Sequence, residues 1–265
     1  MVTIGNFMDW KFLFLGTGAS SGVPQIGCSC PVCKSQNPKN KRLRSSGLLQ
    51  IKGRSLLIDV GPDFREQALC YALYPDGVLL THTHYDHIAG IDELRVMNYR
   101  HKKAFPCLLS DESFADVKRR YYYLFQSDSS LETRAAKLDF QVLPSTGNTT
   151  EFLNVPLQYF HYFQAGMKVS GFRFGTFAYV SDIRDYDESI FDWLKGVQTL
   201  VLSALREGPS KVHFSFEEAV VFSRKANVQK TWLTHLCHDV EHEAASRLLP
   251  PDVQPAYDGL EVLHA

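Results

Sequence analysis

Short apolar runs with polar ends recur along the chain. Residues 10–15, 47–51, 55–60, 78–81, 157–160, 172–174, 177–180, 199–203 and 231–234 read as strands. The second and third of these form a hairpin across Lys52-Gly53-Arg54. Apolar positions at helical spacing appear at 63–73, 89–100, 111–125, 187–195, 215–226 and 240–248. One helix start is marked chemically. Ser215 with Glu218 three residues on is a capping box, in which each side chain takes up an amide that the helix end leaves bare. Strands come both in hairpins and in helix-linked pairs, which predicts an α/β fold with mixed sheets. The 265 residues are 45% hydrophobic, enough for one large core, and no linker or repeat interrupts them. A single domain over residues 1–265 is expected.

Charge narrows the partners. The 28 Lys and Arg are offset by 29 Asp and Glu, for a net charge of −1. A protein that grips a nucleic-acid backbone carries a basic excess, so a nucleic-acid partner is not expected. No apolar run approaches the roughly 20 residues that span a bilayer. Lys11 is followed by only four apolar residues before a glycine, which is no signal-peptide pattern. A cytoplasmic protein without membrane contact is expected. The basic stretch 34–44 reads as a solvated surface loop, with an anion-attracting rim as the sharper alternative.

The strongest chemical signal is His82-Thr83-His84-Tyr85-Asp86-His87, directly after the strand at 78–81. Side chains alternate faces in extended chain, so His82 and His84 project together. A turn after His84 brings Asp86 and His87 toward the same point. Three imidazoles and a carboxylate suit Zn, Mn or Fe. His161, Asp182 and His235 each stand just beyond a predicted strand. Strand ends of such sheets converge on one rim, where polar groups meet around a ligand. Alone, each of the three reads as structural; beside the hexad they read as further metal ligands.

Cys28, Cys30 and Cys33 form a second cluster. Thiols so close together in a reducing compartment point to metal rather than to disulfides. Structural zinc takes four ligands. The fourth candidate is His238, with Cys237 as competitor. Cys70, Cys107 and Cys237 read as small core residues.

The hexad, with single His, Asp and His residues at later strand ends, resembles the metallo-β-lactamase superfamily. The resemblance runs from Leu15-Gly16-Thr17-Gly18 to Ala256-Tyr257-Asp258-Gly259. It implies a four-layer αββα sandwich of two mixed sheets with helices outside and two divalent catalytic ions, Zn or Mn, at one edge. His82, His84 and His161 would hold one ion, and Asp86, His87 and His235 the other. Asp182 would bridge them, and Asp59 would orient a ligating imidazole. Gly22-Val23-Pro24, the cysteine cluster and Thr234-His235 through His238-Asp239 narrow the resemblance to the phosphoribosyl cyclic phosphate phosphodiesterases, accessory enzymes of carbon–phosphorus lyase pathways. That implies a structural zinc on Cys28, Cys30, Cys33 and His238. It implies hydrolysis of a small cyclic phosphodiester by a water shared between the two ions. It also implies His213 as general acid, with Asp86 helping to orient the nucleophile, and a homodimer. The same superfamily offers tRNA 3′-end endonucleases, lactamases and thioesterases, and zinc-binding accessory proteins of cofactor biosynthesis. The first carry a protruding arm and the last have lost catalytic ligands, and neither feature is evident here.

Overall fold

The computed structural model describes residues 9–126 and 135–264. One sheet is built by β1 (Trp10–Gly16), β2 (Ser46–Ile51), β3 (Arg54–Ile58), β4 (Gly77–Leu79), β5 (Phe105–Ser110) and β6 (Leu138–Leu143). The other is built by β7 (Asn148–Phe152), β8 (Val155–Gln164), β9 (Met167–Phe174), β10 (Phe177–Val180), β11 (Thr199–Ser203), β12 (Lys230–Thr234) and β13 (Val253–Pro255). A last strand, β14 (Glu261–Leu263), returns to pair with β1.

Each sheet is antiparallel in one half and parallel in the other. β1 to β3 pair antiparallel and β3 to β6 parallel. β7 to β10 pair antiparallel and β10 to β13 parallel. A parallel step needs a crossover, and helices supply it. They are α1 (Phe64–Cys70), α2 (Tyr85–Ile88), α3 (Arg95–His101) and α4 (Asp111–Arg120) in the first half, and α5 (Ile190–Leu194), α6 (Phe216–Ala226) and α7 (His242–Leu248) in the second.

Strand alternation decides the layers. Leu56 and Ile58 face inward to Tyr159, Phe172 and Val201 of the opposite sheet. Leu57 faces outward to Phe64, Met97 and Val117. On the second sheet Val201 points in, while Leu200 and Leu202 point out to Phe216, Ala219 and Phe222. Both faces of the central strands are covered, which is why they read as unbroken apolar runs. The result is the expected αββα sandwich.

Several elements differ from expectation. β5 carries Pro106 and β6 is half-exposed, so neither shows a clean strand pattern. β7, β13 and β14 are likewise additional strands. The helix expected over 89–100 divides into a 3-10 turn, Ile91–Leu94, and α3. The one expected over 111–125 ends at Arg120 before a second 3-10 turn, Tyr122–Phe125. β8 runs four residues past its expected end at Phe160. The basic stretch is not a solvated loop throughout. Arg42 is buried, its Nη1 donating to Thr17 Oγ1 at 2.7 Å and to the Ala256 carbonyl at 2.6 Å. Arg44 pairs with Asp63 at 3.0 Å. Thr17 in turn donates to Asp258, whose other oxygen accepts Leu43 N. Thus the first and last motifs of the resemblance are bonded to each other. Of the scattered cysteines, Cys107 and Cys237 are buried but Cys70 is exposed. Among the described residues no helix is long and apolar enough to cross a membrane.

Candidate metal centre

The chain beyond the parallel strand ends forms one rim. Asp59 follows β3, the hexad follows β4, Asp182 follows β10 and His235 follows β12. Asp59, Asp182 and His235 all sit in left-handed backbone, at φ of 61°, 53° and 60°. Such conformations cost about 1–3 kcal/mol each for residues other than glycine and cluster at functional sites. Here they turn the chain sharply off each strand, so the side chain is delivered at the sheet edge.

Asp59 is fully buried. Its carboxylate accepts Thr81 N at 2.8 Å and Thr81 Oγ1 at 2.8 Å, and His87 Nδ1 stands 2.7 Å from Oδ2. One ring nitrogen of His87 is thereby committed, and the other, Nε2, is buried without a hydrogen-bond partner. The loop after Asp59 clamps α2 in place. Val60 N donates to the His87 carbonyl at 2.8 Å and Gly90 N to the Val60 carbonyl at 2.9 Å. Gly61 is needed here, since a Cβ would stand 2.1 Å from the Asp86 carbonyl oxygen.

The remaining donors converge on Asp182. His82 Nε2 and His84 Nδ1 lie 2.9 Å apart, and His82 Nε2 is 3.8 Å from Asp182 Oδ2. On the other side His87 Nε2 is 3.4 Å from Asp86 Oδ2 and 3.5 Å from Asp182 Oδ1. His235 Nε2 is 3.3 Å from Asp86 Oδ2 and 3.4 Å from Asp182 Oδ2. Asp182 is therefore shared by a His82–His84 corner and an Asp86–His87–His235 corner, its Oδ2 facing both His82 and His235.

Electrostatics fit a cation. Burial pulls the His82 imidazole well below its ordinary range, with His87 adding to the effect. Burial would lift Asp182, yet His235 and His87 hold it well below the usual carboxylate range. Neutral imidazole and ionised carboxylate are the states in which these groups ligate. His87 is driven the other way: against burial, Asp182, Asp86 and Asp59 raise it well above normal. Three buried carboxylates surround this one imidazole, and a divalent ion could take the place of its proton on the partnerless Nε2.

His161 does not join this group. Its Nδ1 lies 3.2 Å from Ser170 Oγ and its Nε2 3.2 Å from the Pro144 carbonyl. The expected assignment is corrected for a physical reason. His161 interrupts an apolar run and looked like a strand end, but β8 continues through Tyr162 and Phe163 to Gln164. The residue at the strand end is Gln164, missed in the sequence. It lines a cavity of about 390 Å³ together with His84, Asp86, Asp182, His213 and His235. The turn signal Ala165-Gly166 marks that end.

His213 is buried with its ring centroid 4.5 Å from that of His235. Burial, then His235, pull it down to about 4. The capping box after it forms as expected, with Ser215 Oγ accepting Glu218 N at 3.3 Å and Glu218 Oε2 accepting Ser215 N at 2.7 Å. These bonds, with Phe216 N donating to Arg206, spend the first donors of that helix inside the protein rather than on a ligand.

The cysteine cluster stands apart from the rim. The Sγ atoms of Cys28, Cys30 and Cys33 lie 3.4, 3.6 and 3.8 Å from His238 Nδ1. Tetrahedral zinc with bonds of about 2.3 Å to sulfur and 2.0–2.1 Å to nitrogen sets such edges near 3.5 Å. The competitor Cys237 turns away, its Sγ 3.6 Å from Asp239 Oδ2. Backbone bonds run beside this cluster from Ala19 N to the Leu236 carbonyl and from Leu236 N to the Thr17 carbonyl. The N-terminal loop and the His235 loop are thus tied together.

The chain matches a known family. The Beta-lactamase superfamily domain profile matches residues 54–236. A crystal structure of a new diphosphatase from the PhnP family superposes with a TM-score of 0.87 at 31% identity, covering 97% of this chain and 98% of the other. The chain belongs to the β-lactamase superfamily and, within it, to the PhnP family. Zn²⁺-bound PqqB from Methylobacterium extorquens shares the fold, with a TM-score of 0.76 at 19% identity over 95% of this chain and 99% of that one. An octanoyltransferase of Porphyromonas gingivalis is 33% identical over 261 residues, 96% of this chain. The chain spans about half the length, 51%, of that relative.

Proposed function

We propose that the chain is a metal-dependent hydrolase with two catalytic ions at the rim, acting on a small phosphodiester, a cyclic phosphate first among them. The carrying observation is Asp182, whose carboxylate lies within 3.8 Å of ring nitrogens from both corners, Oδ2 facing His82 and His235 and Oδ1 facing His87. His82, His84 and Asp182 would hold one ion, and Asp86, His87, His235 and Asp182 the other. Ions held there supply Lewis-acid polarisation of a phosphoryl oxygen and a nucleophile at neutral pH. Zn and Mn both suit this donor set. Cys28, Cys30, Cys33 and His238 would hold a further zinc, which would fix the loop that carries His235. The cavity of about 390 Å³ is of small-ligand size, and the diphosphatase relative acts at phosphorus as its name states.

The chain's own groups divide the work. Asp59 fixes the His87 ring through Nδ1. Asp86, lining the cavity, orients the attacking group. His213, within 4.8 Å of both Asp182 and His235, protonates the leaving oxygen. An anionic phosphate beside His213 opposes the burial that lowers it and makes the imidazolium accessible.

The test compares a cyclic or alkyl phosphodiester with a nitrophenyl diester, in wild type and His213→Ala, at equal metal content. Expected is a kcat loss of about 10²- to 10⁴-fold on the poor leaving group and little loss on nitrophenolate, which needs no proton. Equal losses on both would overturn the acid role. Absence of phosphodiester turnover at any metal loading would overturn the activity.

A further inference from the structure

We propose that Gln164 is a ligand of the ion at the His82–His84 corner, its amide oxygen standing where a third imidazole was expected, and that this makes the two ions unequal in affinity and kind. The inference rests on the two-ion reading above.

Three observations support this reading. It lines the same cavity as His84 and Asp182. It is 5% exposed, and its Oε1 is buried without a hydrogen-bond partner. A buried acceptor left without a partner is costly, so a partner is called for. Its position is also rigid. A two-residue hairpin, Ala165-Gly166, with φ of 49° and 83°, pairs Gln164 with Met167. Both turn residues are left-handed, as in the tight turns that match strand twist. One residue back, Phe163 exchanges backbone bonds with Asp185, N to O at 2.8 Å and O to N at 2.9 Å. That clip fastens the end of β8 to the loop that begins with Asp182.

The chemistry then differs between corners. Asp86, His87 and His235, with Asp182, give one ion two imidazoles and two carboxylates. His82, His84 and Gln164 give the other two imidazoles and a neutral amide oxygen, with Asp182 shared. An amide oxygen is a harder donor than imidazole and carries no charge. The first corner fills first. The second binds more weakly, exchanges, and favours Mn²⁺ over Zn²⁺ more than an all-histidine corner does.

The full chain, with zinc kept at the cysteine site, is titrated with Mn²⁺ and separately with Zn²⁺. Binding is read by calorimetry and, for Mn²⁺, by paramagnetic resonance. Wild type is expected to show two rim events of different affinity. Gln164→Leu weakens the weaker Mn²⁺ event on the order of tenfold or more and leaves the stronger one unchanged. Gln164→His strengthens the weaker Zn²⁺ event by a similar factor. If both events persist and neither variant moves the weaker one, Gln164 is not a ligand and the two-ion reading stands. If wild type and Gln164→His each show a single event at every concentration, both readings fail.

Discussion

The cysteine knot takes three of its four donors from residues 28–33, while the rim gathers His82, Asp86, Asp182 and His235 from chain segments up to 153 residues apart. The knot is partly exposed: Cys28, Cys30 and His238 are of intermediate burial. The rim is buried, holds three carboxylates and depends on left-handed backbone at Asp59, Asp182 and His235. The proposed function gives the two different work. The knot only has to close a loop, so neighbouring thiols suffice. The rim has to present charge and open coordination to a ligand, so its groups come from rigid strand ends and are held by partners behind them. Local clusters can therefore be built from local sequence, whereas catalytic ones draw on the sheet.

The largest break in that comparison comes from Asp182→Asn. Removing the charge common to both corners should release both rim ions and lower turnover on the order of 10³-fold, while metal analysis still finds the knot zinc. Retention of two rim ions would show that Asp182 does not join the corners. Asp59→Asn acts one step back. The His87 ring loses its charged partner, and rim-ion affinity should fall about 10- to 100-fold in a metal titration, with the knot again intact. Cys28→Ser reverses the pattern. The knot zinc is lost, and rim affinity falls no more than about tenfold, since only the tether of the His235 loop is weakened. A larger loss at the rim than at the knot would make the two regions a single unit.

The smallest effect lies within the knot. The Cys33 backbone N–H, then His238, lower the Cys30 thiol to about 6, whereas burial pushes Cys33 up to about 11. The Cys30 side chain is part of what raises its neighbour. Thiolate is the ligating and the nucleophilic form. After chelation at pH 7, peptide mapping should find Cys30 alkylated well ahead of Cys33. The sign for zinc follows. Protons compete with the ion for the thiolates, so zinc affinity falls as the pH falls. Equal alkylation rates, or zinc loss on raising the pH, would contradict this order.

Much of the architecture was legible from pattern. Strands 199–203 and 177–180 fall where the apolar runs lie, because central strands covered on both faces leave a continuous signature. The Ser215–Glu218 box marks its helix because capping is a local exchange of hydrogen bonds. Edge strands such as β6 and β7 left no such trace, since one side of each is wet and the pairing comes from elsewhere.

The sequence by itself determined the hexad and the cysteine triplet, each of which rests on spacing within one short segment, and implied the sandwich through the resemblance that runs along the chain. Only the tertiary structure decided that β8 ends at Gln164 rather than at His161, that Arg42 is buried against Thr17 and Ala256, and that Asp59 reaches His87. A strand's length is fixed by its neighbours' hydrogen bonds and not by its own apolar run, and which side chain reaches the rim changes with every residue the strand extends.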